Sequence, residues 1–128
     1  MWLRWAERGV GRRVKGVFMN VYAVSKVRLD QDGRIVAVFW GRVNTDTNQW
    51  ATPEVLAPVQ EVVAAIHAGD QVFALFPSTH GHVPDRPFMV VDYDNGWETI
   101  ALDGPPTFER EIHDMERIGP GDLSRAHR

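Results

Sequence analysis

The stretch FALFPSTHGHVPDRPF, residues 73–88, concentrates the side chains best suited to chemistry. His80 and His82 stand two positions apart, and residues at that spacing in an extended segment project to the same side. Two imidazoles on one side suit zinc, and Asp85 offers a carboxylate as third ligand, leaving a coordination position for water. Such a set would support metal-dependent hydrolysis. Ser78 with a histidine base and Asp85 behind it is a second hydrolytic arrangement. It lacks a G-x-S-x-G elbow, and triad members converge from different directions, which neighbours in sequence rarely do. The plainer alternative is a surface loop between two strands. Pro77, Pro84 and Pro87 stiffen it, Gly81 permits a tight bend, and Ser78 or Thr79 bonds its backbone.

The spacing THGHVPD approaches the HxHxDH motif of the metallo-β-lactamase family. However, Asp85 falls one position late, Arg86 stands where that motif needs histidine, and 128 residues are too few for that family's αβ/βα sandwich. Membership is rejected. Other residues invite a binding role. Trp50 lies in a polar loop and Trp97 just after a turn; exposed together, they would mark a recognition surface, since aromatic residues are enriched at binding hot spots. Covering a sheet edge is their alternative, and Trp40 reads as core. The candidate binding residues are therefore Trp50, Trp97, Ser78, Thr79, His80 and His82. Asp92, Asp94 and Glu98 cluster at a hairpin, where Asp94 serves the turn and the other two read as exposed. His67 reads as a cation complementing a helix C-terminus.

The elements that must position these groups follow from pattern. NVYAVSKVRL alternates, with Val21, Ala23, Val27 and Leu29 on one side of a strand. DQDG at 30–33 is a turn, and RIVAVFWGRV is a strand buried on both faces, with Val36, Val38 and Trp40 joining the apolar side of the first. Thr52, Pro53 and Glu54 carry helix-start signals. Pro58 cannot sit deep in a helix, which predicts a turn at 53–57 and the main helix over 58–68. Val59, Val62, Val63 and Ile66 form its core stripe, and Gly69 ends it. QVFALF and PFMVVDY are strands on either side of the quoted loop. Asn95-Gly96 predicts a type I′ hairpin that sets Ile100 and Leu102 against Val91 and Met89. Thr107 caps an expected last helix with Phe108, Ile112 and Met115 on one face.

Composition bounds the function classes. The chain has no cysteine, which removes disulfides, thiolate metal sites and cysteine nucleophiles. Residues 1–18 carry five basic side chains against Glu7 alone, a balance of +4, so the rest of this −3 chain carries −7. An acidic body repels phosphate and disfavours nucleic acid. No apolar run approaches the ~18 residues of a membrane span. Twelve of the fourteen basic residues are arginine, which points to a GC-rich bacterial genome. The basic leader 1–18 is expected to be disordered or to lie upstream of a true start at Met19, and 119–128 to be a flexible tail.

VSKVRLDQDGRIVAVFWG followed by EVVAAIHAGDQVF resembles the short bacterial proteins grouped as domains of unknown function, over about half the chain. The resemblance implies a strand-turn-strand leading to a helix that ends in glycine, with no established activity and no catalytic residue. The fold expected is a single α+β domain over residues 19–118. It is a small antiparallel sheet of about five strands in ββαβββα order, with a helix packed on one face. The expected function is a non-enzymatic binding or interaction module in the bacterial cytoplasm, for a protein or a small ligand and without a cofactor. The alternative is a metal-dependent hydrolase holding zinc with His80, His82 and Asp85.

Overall fold

Strands β1 (Val21–Leu29) and β2 (Ile35–Asn44) form an antiparallel hairpin. The computed structural model in which they are seen describes residues 20–79, 81–93, 96–105 and 110–119. The leader, the tail beyond Gly119, His80, Asp94, Asn95, Thr107 and Phe108 lie outside the described residues. The DQDG turn forms as expected: Asp30 Oδ1 accepts from the backbone N–H groups of Asp32 and Arg34 at 2.9 and 3.0 Å.

Two irregularities in this hairpin change which residues share a face. Val24 pairs with Trp40 and Lys26 with Phe39, so Ser25 is an extra residue in β1. A bulge of this kind reverses the inside–outside alternation beyond it. Val21 and Ala23 consequently pack with Val43, Phe73 and Leu75 on one side of the sheet. Val24 and Val27 pack with Ile35, Val38 and Trp40 on the other. The single apolar side expected for Val21, Ala23, Val27 and Leu29 is thus split between two clusters. Buried Ser25 stabilises the bulge: its single hydroxyl proton is shared between Glu54, the closer acceptor, and the Phe39 carbonyl at 3.3 Å. A second slip, between Arg28 and Leu29, brings Ile35 into the core in place of Val36.

The expected turn at 53–57 is largely strand. β3 (Gln49–Trp50) and β4 (Val55–Pro58) divide the outer edge of β2 between them. The residue before a proline favours extended backbone, which suits Ala57 to a strand that ends at Pro58. Thr52 and Glu54, read as helix-start residues, serve the sheet instead: Thr52 Oγ1 accepts from the Arg42 N–H at 2.8 Å, and Glu54 bonds Ser25. Helix α1 spans Val59–His67. Val59 and Val62 are fully buried and Val63 nearly so, with Ile66 packed against the same cluster. Nine residues make a marginal helix alone, so burial of these valines, roughly 1.5–3 kcal/mol each, holds it in place. Its end is a Schellman motif, with the Gly69 N–H bonded to the Ile66 carbonyl and the Asp70 N–H to that of Ala65, both at 3.0 Å.

β5 (Gln71–Ser78) runs parallel to the first half of β1, so β4, α1 and β5 form a crossover of the kind parallel strands require. β6 (Gly81–Asp92) returns antiparallel to β5, and β7 (Glu98–Leu102) pairs with β6. A 3₁₀ turn, Ile112–Asp114, leads into β8 (Glu116–Arg117), which lies parallel to the second half of β1. The expected helix through Ile112 and Met115 is therefore absent over 110–119; a Glu111–Asp114 capping box closes a single turn, and Met115 enters the main cluster from extended backbone.

These observations overturn the expected fold. Eight strands, 56% of the described residues, form one mixed sheet in the order β3-β2-β1-β5-β6-β7, with β4 also on β2 and β8 on β1. The element order is ββββαββββ, with one α-helix among the described residues, and not ββαβββα with a five-stranded antiparallel sheet. The Thr99 hydroxyl donates to the Ile35 carbonyl at 2.6 Å, so the sheet coils until β7 reaches the start of β2. Among the described residues no helix is long and apolar enough to cross a membrane.

Gly41 shows how tightly the second face is packed. A Cβ there would lie 3.0 Å from both the Thr52 carbonyl oxygen and the Trp50 ring. Gly41→Ala is expected to cost about 1–3 kcal/mol through this overpacking. Equilibrium urea unfolding measures it, and an unchanged midpoint would show that Trp50 shifts freely.

Candidate functional site

A cleft lies between α1 and the β6–β7 hairpin, and the hairpin's register shapes it. A two-residue Asn95-Gly96 turn would set Ile100 against Val91 and Leu102 against Met89. Instead, the Tyr93 N–H bonds the Trp97 carbonyl at 2.8 Å, and the Gly96 N–H bonds the Tyr93 carbonyl at 2.9 Å. The loop between this closing pair is three residues long. Gly96, at φ +82°, occupies the left-handed position that such loops give to glycine. Ile100 faces Val90 and Leu102 faces Phe88. Burial explains the choice: Phe88, Val90, Ile100 and Leu102 all pack in the main cluster, whereas Met89 stays 43% exposed.

The same one-residue slip sets Asp92 directly opposite Glu98. Like charges across a strand pair repel. Two contacts relieve the repulsion here. His67 Nε2, at the last turn of α1, lies 3.0 Å from Glu98 Oε2, and a proton on Asp92 lets its carboxyl hydrogen-bond that of Glu98. The hydrogen bond to Glu98, and then the nearness of its charge, raise the Asp92 pKa above the ordinary carboxylate value. The hydrogen bond from His67, and then that from Asp92, lower the Glu98 pKa. The two carboxyls therefore titrate as a coupled pair, with protonation weighted toward Asp92.

Glu98 and His67 line a cleft of about 360 Å³. α1 contributes Gln60, Val63, Ala64 and His67, and the hairpin contributes Gly96, Trp97 and Glu98. Trp97 is fixed from behind. Its ring lies 5.1 Å from that of Tyr93, and the Arg34 guanidinium sits 4.6 Å from the Tyr93 centroid and 5.3 Å from that of Trp97. The result is a held aromatic wall, an aliphatic floor and a hydrogen-bonded His67–Glu98 pair with Asp92 opposite Glu98.

The residues singled out at 73–88 are arranged differently. The expected loop is mostly strand, with Pro77 opposite His82 and Ser78 opposite Gly81. Ser78 Oγ donates to the Gly81 carbonyl at 3.1 Å, and Thr79 is exposed. His82 Nε2 lies 2.7 Å from Glu116 Oε1, which ties β6 to β8. Asp85 is buried in a β6 bulge, 3.7 Å from Arg86 Nε and 3.7 Å from Arg110 Nη1. Arg86 reaches on to the carbonyls of Gly104, Pro105 and Arg110 and to Glu111, gathering the chain after β7. His82 and Asp85 thus sit in separate ion pairs. Among the described residues no three His, Asp or Glu side chains are grouped to hold a metal ion. Trp50 packs against the second cluster, away from α1, while Trp97 lines the cleft, so the two tryptophans do not share one surface.

His67, Asp92 and Glu98 are the residues that sequence reasoning left as surface charges. The signal for them was available in part. Choosing Phe88 over Met89 as the buried residue sets the register, and the register pairs Asp92 with Glu98. Their approach to His67 depends on how α1 docks, which no local pattern encodes.

A pH-dependent stability follows. The folded protein binds the Asp92 proton more tightly than the unfolded chain does, so the ionised group costs stability above its folded pKa and nothing below its unfolded one. Glu98 works in the opposite sense: its contribution is present above its unfolded pKa and is lost as pH falls through its lowered folded value. Asp92→Asn is expected to raise Tm at pH 7, with the gain closing as pH falls toward the ordinary carboxylate range of about 4. Thermal melts of both proteins across that range measure it. A gain that does not vary with pH would mean that repulsion between the carboxyls is not its source.

Compared with models of protein families, with curated proteins and with solved structures, the chain finds no match, so its function has to be read from the chemistry of the cleft.

Proposed function

We propose that the protein is a binding module that takes a small organic ligand in the cleft between α1 and the β6–β7 hairpin. The observation that carries this reading is the combination of one aromatic wall, an aliphatic floor and convergent polar groups around about 360 Å³. Small-molecule sites typically enclose ~300–1,000 Å³, with apolar walls and a few placed polar groups that fix orientation. Pre-ordering supports binding further, because Trp97 held by Tyr93 and Arg34 loses little freedom when a ligand arrives. The lining residues include no hydroxyl, amine or thiol nucleophile, and His67 and Glu98 are hydrogen-bonded to each other. This favours recognition over covalent catalysis. The acidic body favours a ligand other than nucleic acid, and the absence of cysteine suits the bacterial cytoplasm.

Ala64 provides the test, because it lines the cleft yet is exposed on α1, so enlarging it fills the cleft without entering the core. A fragment library screened by amide and indole NMR shifts is expected to give hits centred on His67, Gly96, Trp97 and Glu98. Ala64→Trp is expected to weaken them at least about tenfold, equivalent to ~1.4 kcal/mol of binding free energy. Hits that map elsewhere, or that bind the filled variant equally well, would overturn the proposal.

A further inference from the structure

We infer that the cleft selects a small organic cation, an amine whose ammonium meets Glu98 and whose apolar body lies against Trp97, Val63 and Ala64. This rests on the cleft being the binding site. Among the described residues, the charge there is set by Asp92 on β6, Glu98 on β7, His67 on α1 and Arg34 in the turn before β2. Arg34 is spent on the outer aromatic stack, over Tyr93 and Trp97. His67 adds positive charge only when protonated. The cross-strand carboxyls therefore carry negative charge that local cations do not fully match. That Asp92 holds its proton more readily than an isolated carboxyl is the same imbalance seen from the acid side.

An ammonium placed at Glu98 supplies the missing charge and donates hydrogen bonds to an ionised acceptor, a stronger class of contact than neutral pairs. The adjacent indole favours a cation again, through attraction to its ring face. An anion meets repulsion from both carboxyls. A neutral molecule of the same shape fills the cleft but leaves the acid pair as it was. Glu98 remains one-third exposed, so an incoming amine reaches it without opening the fold. At about 360 Å³ the cleft lies toward the small end of ligand sites, which limits the body to about one ring or a short branched chain.

Benzylamine, benzyl alcohol and benzoate share a ring of suitable size and differ in charge, so they isolate the electrostatic preference. Titrated into the full chain at neutral pH and followed at the Trp97 indole and Gly96 amide, benzylamine is expected to bind roughly tenfold or more tightly than benzyl alcohol. Benzoate is expected to cause no saturable shift. Glu98→Gln and, independently, Asp92→Asn are expected to weaken benzylamine by a larger factor than benzyl alcohol. Lowering the pH through the acid range is expected to weaken benzylamine as the carboxyls take up protons. If benzyl alcohol or benzoate binds as well as benzylamine, the charge preference is overturned and the cleft remains a ligand site. Failure of benzylamine to shift the cleft residues, or equal binding to both variants, also overturns it, and the cleft itself is then judged by the Ala64→Trp fragment screen.

Discussion

Strand β1 is hydrogen-bonded along both edges, and three other strands dock on it directly while the rest of the sheet builds outward from β2 and β5. One edge belongs to β2 throughout. The other is divided, with β5 beside Val21–Val24 and β8 beside Lys26 and Val27. The division falls at the Ser25 bulge. A bulge increases local twist and disrupts regular pairing, which gives a physical reason why one partner strand ends there and another begins. The buried hydroxyl of Ser25 then links the bulge to Glu54, in the segment leading to β4 and α1. Strand pairing, helix position and the split core thus share one local irregularity.

From that arrangement the cleft follows in two steps. The crossover through α1 lays Val59, Val62 and Val63 on the main cluster and leaves His67 at the helix's far end. The coiling of the sheet, fixed by Thr99 on the Ile35 carbonyl, brings β7 under the same helix. Neither step involves the cleft's polar residues directly. Burial of valine, isoleucine and phenylalanine determines where they stand, and the acid pair tolerates the result with help from one imidazole.

Much of this was legible in the sequence where local rules and burial agree. The Asp30 turn, the valine stripe of α1 and its end at Gly69 are set by side chains acting within a few residues of themselves. The misreadings share a different cause. Thr52, Pro53 and Glu54 satisfy helix-start preferences, but pairing of Val55–Pro58 with β2 overrides them. Three prolines made 77–87 look like a loop, yet prolines are tolerated in short antiparallel ladders at edges and bulges, and β6 carries its bulge there. Alternation counted from Val21 fails after Ser25 because an extra residue leaves no mark on composition. The His80–His82–Asp85 spacing suggested a shared site, but the carboxylate of Asp85 is engaged by Arg110, a contact 25 positions away that no spacing rule anticipates.

The Asp92–Glu98 pair breaks a local rule that the rest of the hairpin obeys. Every other cross-strand pair in β6–β7 opposes apolar residues, or an apolar residue and Thr99. A sheet selected for stability alone would place opposite charges, or a threonine, at the pair nearest the turn. Departures from local consistency of this kind cluster at functional sites, where stability is not the only demand on the residues. The Asp85–Arg86 cluster offers the contrast: its charges are buried, and Arg86 meets backbone carbonyls and Glu111 within the chain. One cluster closes the structure on itself. The other sets Glu98 on the wall of a cleft, beside an aromatic ring packed by Tyr93 and Arg34.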